Sequence, residues 1–243
     1  MRDYNQELLN TSAHQYRFDF DVNVMHPYML RAIKIFLKDG KTLEMGSYKG
    51  YFSRLLKKTV GDLECIEASS DAVAQFKADP ELANITVYNN TFETAKLPHK
   101  FKNIIITHTL EHLDDPVGVM KKVRDEWLDD GGRFFVICPN ANAPSRQIAV
   151  RMGILSHNST ITDAEREHGH RVTYSFDTLE RDAKNAGFQV IGKKGIFFKA
   201  LANFQWDKIL KTDIVDNAYL DACYELGEVY PDLCSSICLI CEK

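Results

Sequence analysis

The chain has 243 residues, 44% of them hydrophobic, and a formal net charge of −4. This length and apolar content suffice for one sizeable core, while the slightly acidic balance provides no general attraction to nucleic acid or to an anionic membrane. No apolar run reaches the roughly 18 residues of a transmembrane helix, and the N-terminus lacks a signal-peptide pattern. Six scattered cysteines, including Cys238 and Cys241 in a predicted strand, indicate reduced thiols in a cytoplasmic protein.

The predicted elements alternate between helices and strands along the chain. Residues 1–40 contain an apolar helical face, and a first short strand ends at Glu44. This alternation predicts an α/β fold with a mainly parallel sheet. Further helices are predicted near 70–78, 116–127 and 175–186, and further strands near 62–67, 84–88, 102–108, 132–138, 188–198 and 235–241.

The turn after the first strand has the composition of a nucleotide-binding corner. Gly46 and Gly50 lie between the strand and the start of an amphipathic helix. Glycines let the backbone approach a ligand closely, and a helix N-terminus offers free N–H groups. Dinucleotide-binding folds usually show G-x-G-x-x-G, whereas Tyr48 stands here where a middle glycine would be expected. Glu44 at the strand end suits a ligand with an amine or a cation better than one with a pyrophosphate.

A second acid follows the second predicted strand. Glu67 lies about 21 residues past Gly46, close to the spacing at which an acidic residue meets ribose hydroxyls. A carboxylate can accept hydrogen bonds from both hydroxyls of an unphosphorylated ribose and would repel a 2′-phosphate.

Together these features resemble the class I S-adenosylmethionine (SAM) methyltransferases. The corner resembles their motif I. Residues 90–93 follow the third strand, and in the family the loop at this point borders the adenine. Residues 109–116 resemble the leucine-glutamate-histidine…proline signature of the family. The likeness is detailed over residues 40–140. It implies a three-layer, Rossmann-like fold with a seven-stranded, mostly parallel sheet, an antiparallel last strand and helical cap insertions. SAM is then the cofactor and S-adenosylhomocysteine (SAH) the product.

The resemblance also implies an organisation and a cofactor site. We expect a single domain over 1–243, with an N-terminal helical segment 1–40, an acceptor-side insertion at about 139–172 and a helical addition at about 199–230. Family members often close the region of residues 15–21 over the cofactor. Glu44 is expected near the methionine amine or ordering the turn, and Glu67 at the ribose. The predicted cofactor-binding residues are Glu44, Gly46, Ser47, Tyr48, Gly50, Glu67, Ala68, Thr91, Phe92 and His108.

Histidines are the predicted proton acceptors, because an imidazole can take a proton near neutral pH. His168 and His170 rank first since they lie in the presumed cap, His108 is the alternative, and His112 has a structural interpretation. We expect no metal ion. Arginines beside histidines would suit an anionic acceptor. The residues predicted to bind the acceptor are Asn140, Arg146, Arg171, Lys199 and Asn203.

A looser similarity concerns the acceptor itself. From Pro139 to Asn203 the chain is similar to methyltransferases of bacterial capsule and surface-glycan modification. This implies O- or N-methylation of a small polar acceptor, phosphorylated or sugar-derived, with no nucleic acid or membrane partner, and leaves a homodimer open. One alternative is a non-catalytic SAM-binding partner of another methyltransferase. An NAD-dependent oxidoreductase is disfavoured, because no tyrosine has a lysine four residues later.

Overall fold

A seven-stranded sheet forms the centre of the computed structural model, which describes residues 2–13 and 18–243. The strand order is β3-β2-β1-β4-β5-β7-β6, and only β7 runs antiparallel to its neighbours. This confirms the predicted sheet and its antiparallel last strand. The strands are β1 (Thr42–Met45), β2 (Leu63–Glu67), β3 (Thr86–Asn89), β4 (Phe101–Thr107), β5 (Leu128–Pro139), β6 (Gln189–Phe198) and β7 (Cys234–Glu242).

Helices cover both faces of the sheet. Those predicted near 70–78, 116–127 and 175–186 are present, the second one continuing as a π-helical turn over Val123–Trp127. Another π-helical turn, Asp21–Met25, precedes α2. The helices are α1 (Tyr4–Ala13), α2 (His26–Lys34), α3 (Tyr51–Lys57), α4 (Ser70–Ala78), α5 (Pro116–Lys122), α6 (Pro144–Arg151), α7 (Asp163–Glu167), α8 (Phe176–Asn185), α9 (Asn203–Ile209) and α10 (Asn217–Val229).

The core lies in two layers, one on each side of the sheet. Along β5, Phe134 and Val136 pack into one apolar cluster with residues of α5 and α8, whereas Phe135 and Ile137 pack into the other with residues of α2 and α3. Successive side chains of a strand point to opposite faces, so a strand buried on both faces is a continuous apolar run. The result is a helix–sheet–helix sandwich.

Three details of the chain bear on the predictions. Strand β5 begins at Leu128, before the strand predicted near 132–138, and passes through Gly131 and Gly132 with a bulge in its pairing to β4. The six cysteines are buried and free, as expected for reduced thiols. In the part of the chain that the structure describes, no helix combines the length and apolar character needed to cross a bilayer.

The segments that were expected to be additions to the sheet contain helices. Residues 139–172 carry α6 and α7, and residues 199–230 carry α9 and α10. Their assignment as an acceptor-side insertion and a helical addition stays a prediction. Residues 15–17 of the segment expected to close over the cofactor lie outside the described residues.

The parallel strands bring four loops to one edge of the sheet. Strands β1, β2, β4 and β5 run in the same direction, so the residues that follow them meet at the carboxyl edge. These residues begin with Gly46, Ala68, His108 and Asn140. Ligands bind at this edge of an open α/β sheet.

Candidate active site

A cavity of about 610 Å³ lies at the carboxyl edge of the sheet. The loops after β1, β2, β4 and β5 line it, together with residues of the N-terminal segment and of residues 139–172. Most of the predicted site residues therefore meet in one place. The predicted residues on its wall are Glu44, Gly46, Ser47, Tyr48, Glu67, Ala68, Thr91, Phe92, His108, Asn140, Arg146, His168, His170 and Asn203.

Three predicted site residues, Gly50, Arg171 and Lys199, are absent from the cavity wall. Gly50 begins α3 with a φ of 84°, and a Cβ atom there would lie 2.2 Å from Leu82 Cδ1. Close packing and a left-handed backbone thus explain this glycine. Its contact with the cofactor stays a prediction.

The corner after β1 is held in a conformation that suits glycine. Gly46 has a φ of 76°, and a Cβ atom there would lie 2.5 Å from Thr109 Oγ1. Tyr48 adopts a φ of 48°, a left-handed conformation that is uncommon for a residue with a side chain. The strained backbone brings the Tyr48 N–H to Glu67 Oε2, at 2.8 Å.

Glu67 connects the loops after β1 and β2. Its carboxylate accepts one hydrogen bond from the backbone N–H of Tyr48 and a second, at 2.9 Å, from that of Ser69. Burial raises the pKa of Glu67, and these backbone hydrogen bonds oppose the increase. Each carboxylate oxygen retains a lone pair, so the side chain can fix both loops and still accept from a ligand hydroxyl.

Glu44 is a buried acid on the wall of the same cavity, with 3% of its surface exposed. Ser53 Oγ donates to its Oε2 at 2.5 Å, and the Cys65 thiol lies 3.6 Å from the same oxygen. Burial raises the pKa of Glu44 to about 7, and the negative charge of Glu67 adds to the increase. Its charge can therefore change near neutral pH.

Histidines form another part of the wall. The His112 and His170 rings lie edge to face with centroids 4.5 Å apart. Burial lowers the pKa of His170 to about 4, although Glu165 opposes the change, and burial holds the pKa of His112 well below its usual value. Both rings are therefore neutral at pH 7 and can accept a proton or another electrophile.

His108 is a poorer proton acceptor than the sequence suggested. Its backbone has a φ of 46°, and its Nε2 lies 2.9 Å from Ser236 Oγ. Burial lowers its pKa to about 3, with contributions from His26, His170 and Lys199. The hydrogen bond to Ser236 fixes the ring on the cavity wall.

Glu111 is the main residue whose position was not anticipated. It lies in a 3₁₀ turn, Leu110–His112, and only 1% of its surface is exposed. Neither carboxylate oxygen has a well-formed hydrogen bond to any residue that the structure describes. Burial raises the pKa of Glu111 to about 8, while weak interactions with its own backbone and with the Cys138 thiol offset part of this effect. The burial of the Glu111 side chain excludes a surface pairing with His112, which would be the ordinary interpretation of this dipeptide.

The predicted acceptor residues are largely occupied with other parts of the protein. Asn140 donates to the carbonyls of Asp232 and Cys234 at 2.8 and 2.9 Å, so its amide holds the end of β5 against the start of β7. Arg171 is exposed and pairs with Asp114, at 2.9 Å, away from the cavity. Its contact with the acceptor stays a prediction, which this pairing does not favour.

Lys199 and Asn203 belong to a buried polar chain. Lys199 Nζ donates to Asn203 Oδ1 at 2.5 Å, and Asn203 Nδ2 donates to Asp21 Oδ1 at 2.8 Å. Asn203 and Asp21 reach the cavity wall, whereas Lys199 lies behind them. A direct contact of Lys199 with the acceptor stays a prediction, and in this structure the ammonium group of Lys199 binds Asn203.

The balance of charge on the wall also differs from the expectation. Arg146 donates to Glu165 at 2.6 Å, and Arg2 donates to Glu7 at 2.6 and 2.8 Å. Both arginines on the described wall are thus paired. The lining carboxyl groups are Glu7, Asp21, Glu44, Glu67 and Glu165.

Several lining residues had no signal in the sequence. Arg2 Nη1 donates to the carbonyl of His112 at 2.6 Å, which places the N-terminal segment beside the histidines. His26 and Ser236 also reach the wall. These contacts join positions far apart in the chain, and no local pattern marks them.

Residues 14–193 match the model of a protein family described as "Methyltransferase domain". The chain belongs to this family. It is a methyltransferase with SAM as its cofactor. The NAD-dependent oxidoreductase alternative is thereby excluded.

Solved structures of other methyltransferases share the fold. The methyltransferase is similar to a SAM-dependent enzyme of Thermotoga maritima described as a possible histamine N-methyltransferase, with 19% identity, 99% and 98% of the two chains covered and a TM-score of 0.65. It is also similar to the CcbJ methyltransferase of Streptomyces caelestis (15% identity, 99% and 97% covered, TM-score 0.60). A structure of the Haloferax volcanii Trm112 methyltransferase activator with a putative methyltransferase matches as well (14% identity, 100% and 98% of the two chains covered, TM-score 0.60). No match to a curated protein was found.

Proposed function

We propose that this methyltransferase transfers the SAM methyl group to an oxygen or nitrogen of a small polar acceptor held beside His168 and His170. The observation that carries the proposal is that one cavity contains both the corner with Glu44 and Glu67 and the two histidines. Donor and acceptor can then share one site.

SAM would be held by the residues around the corner. Glu67 would accept from the ribose hydroxyls while it keeps its two backbone hydrogen bonds. Glu44 would face the ammonium group of the methionine moiety, and the buried ring of Phe92 would pack on the adenine. Gly46 permits the close approach of the backbone that this arrangement requires.

The sulfonium of SAM supplies an already activated methyl group, so the protein mainly has to align the acceptor. Alignment of two reactants accounts for roughly 7–11 kcal/mol in favourable intramolecular models. A hydroxyl or ammonium acceptor must also lose a proton. The neutral ring of His170, or that of the buried His168, is placed to take it. His108 is the weaker choice because its Nε2 is bonded to Ser236.

The charges of the wall support a neutral or cationic acceptor. The arginines that suggested a phosphorylated compound are paired with carboxylates, and the described wall carries more acids than cations. We therefore propose that the acceptor is a sugar-derived compound or a small amine, and not a phosphorylated compound. A role in capsule or surface-glycan modification remains a proposal that rests on the looser sequence similarity.

Turnover with a panel of acceptors tests the proposal. We expect SAM and SAH to bind in calorimetry, and methylation of an amino sugar, a sugar alcohol or an imidazole amine in preference to a sugar phosphate. His170→Ala and His168→Ala should leave SAM affinity nearly unchanged. At least one of them should lower turnover by roughly 10²–10⁴-fold, the range for loss of a general base.

His157→Ala is the matched control. His157 lies in the same 139–172 segment but is exposed and away from the cavity wall, so this variant should keep full turnover. Weakened SAM binding in the His170 and His168 variants would instead show that these residues belong to the cofactor site.

A non-catalytic or partner-dependent methyltransferase is the second candidate. The fold is shared with a chain from a structure of a complex with a methyltransferase activator, which makes a partner worth testing. This alternative predicts that SAM binds but that no acceptor of the panel is methylated by the isolated chain. Turnover by the isolated chain would exclude it.

A further inference from the structure

Three side chains with metal-binding atoms meet beside the cavity. One ligand atom each of Glu111, His112 and His170 lies within 4.8 Å of the other two. Glu111 and His112 come from the turn after β4, whereas His170 comes from the loop after α7. The fold therefore brings His170 beside two residues that lie far from it in the sequence, a proximity that the expectation of no metal ion did not include.

The carboxyl group of Glu111 requires an explanation. It is 1% exposed, and among the described residues neither oxygen has a well-formed hydrogen bond, the Cys138 thiol being only a weak partner. Burial of a charged carboxylate without a partner costs several kcal/mol, and an uncharged one still loses its hydrogen bonds to water. A cation bound by the carboxylate would remove this cost.

The neighbouring arginine does not fill that role. Arg2 lies close to the cluster, since its Nη1 donates to the His112 carbonyl, but its other nitrogens bind the Glu7 carboxylate. The positive charge of Arg2 is thus largely balanced by Glu7. Arg2 is therefore not available to balance a Glu111 carboxylate that has lost its proton.

The two histidine side chains lie close together. The His168 backbone acts as a hydrogen-bond partner that opposes the fall in the pKa of His112. Histidines that bind metals commonly donate their second nitrogen to a carbonyl or carboxylate in this way, which fixes the tautomer and directs the other nitrogen at the ion. The His170 ring stands edge to face with that of His112, at a 73° interplanar angle.

We propose that Glu111, His112 and His170 bind one divalent transition-metal ion at the edge of the cavity. Two imidazole nitrogens and one carboxylate favour Mn²⁺, Fe²⁺, Co²⁺ or Zn²⁺ over Mg²⁺ and Ca²⁺, which prefer all-oxygen sites. His112 and His170 line the cavity while Glu111 lies behind them. The open coordination positions of the ion therefore face the cavity.

Such an ion would deepen the function proposed above, on which this step rests. It would bind an oxygen of the acceptor and lower the pKa of a hydroxyl there, as divalent metals do for bound water. The class of acceptor this favours is a hydroxylated, sugar-like compound. His168, which lies outside the cluster, would then be the histidine left to accept a proton.

Metal binding by the full chain tests the proposal directly. Protein freed of metal with a chelator is titrated with Mn²⁺, followed by electron paramagnetic resonance, and with Co²⁺, followed by its visible absorption. We expect one ion per chain. Glu111→Gln and His170→Gln should each weaken binding roughly tenfold or more, since even loss of an outer-shell partner costs about 10–100-fold.

His26→Gln is the matched control, because His26 lines the same cavity but is not part of the cluster. It should bind the metal as the unaltered chain does. SAH affinity and the thermal midpoint of each variant report whether it folds. If Glu111→Gln does not fold, His170→Gln decides the assignment alone, since His170 lies at the cavity wall.

Two results would overturn the metal site: no binding of Mn²⁺, Co²⁺ or Zn²⁺ at millimolar concentrations by protein that still binds SAH, or metal binding that both variants retain. The methyltransferase proposal fails differently. It fails if the metal-loaded protein binds SAH yet methylates no acceptor, an outcome in which the metal site itself stands.

Discussion

Glu44 should make the affinity for SAM depend on pH. Its carboxyl group is buried on the cavity wall, and its pKa in the unliganded protein is raised to about 7 by burial. In the proposed complex it faces the ammonium group of SAM and must be ionised to stabilise it. Binding below pH 7 therefore requires the loss of a proton from Glu44.

The size of the effect follows from that pKa. Below a pKa of about 7, each pH unit costs 1.36 kcal/mol, or about tenfold in affinity. Between about pH 6 and pH 7.5 the affinity should thus rise roughly five- to tenfold. Above about pH 8 it should fall again, because an α-ammonium group begins to lose its own proton there. The predicted profile has a maximum between these limits.

Isothermal calorimetry with SAM and SAH, corrected for buffer protonation, measures this profile. Glu44→Gln should bind more weakly and lack the rising limb. Ser53→Ala should shift that limb to higher pH, since the hydrogen bond from Ser53 holds the pKa of Glu44 down. The pKa of Glu67 is also raised by burial, so any rising limb that persists in Glu44→Gln belongs to Glu67. A flat wild-type profile would refute the reasoning.

The same group should affect stability in the opposite direction. The pKa of Glu44 is about 7 in the folded chain against 4.5 in the unfolded one, so its contribution is fully present below about pH 4.5 and is lost as pH rises through 7. The loss is on the order of 3 kcal/mol at 1.36 kcal/mol per pH unit. Urea unfolding of the unliganded protein should therefore show a smaller decline between these pH values in Glu44→Gln than in the wild type.

Three further predictions concern the corner and the buried polar chain. Gly46→Ala should weaken SAH binding at least tenfold, as its Cβ would clash with Thr109 and a left-handed alanine costs roughly 1–2 kcal/mol; calorimetry showing wild-type affinity would contradict this. Glu67→Gln should lower SAM affinity by about 1–3 kcal/mol and also lower the thermal midpoint, because the amide nitrogen is unable to accept from a backbone N–H. An unchanged midpoint would argue against the connection that Glu67 makes between the loops after β1 and β2. Lys199→Met should destabilise the fold by roughly 3–5 kcal/mol in urea, since Asp21 loses its nearby cation; a smaller effect would mean that Asp21 takes up a proton.

The sheet could be predicted because its signals are local. A strand buried on both faces, such as β5, is a run of apolar residues, and the loops between strands carry the glycines and acids of the corner. The corner is defined by backbone conformation and therefore by residue type at fixed spacing. Gly46 and Glu67 were found on that basis, and both line the cavity.

The other half of the site depends on side-chain contacts between distant segments. Arg171 was expected at the acceptor because of its neighbours in sequence, yet Asp114 holds it at the surface. Glu111 was regarded as part of a signature, and only the fold shows that its carboxyl is buried with no well-formed hydrogen bond among the described residues. A long polar side chain reaches several sites from one backbone position, and local sequence does not select among them.

The charges in the cavity then limit what the protein can bind. The described wall carries five carboxyl groups, and its two arginines already pair with two of them. SAM brings an ammonium and a sulfonium group, which balance acids at the corner. On the described wall no unpaired cation then remains for the phosphate group of an acceptor. A phosphorylated acceptor would therefore pay the cost of charge repulsion unless a divalent ion at Glu111 offset it. A sugar should consequently bind better than its phosphate in metal-free protein, and added Mn²⁺ should narrow that difference.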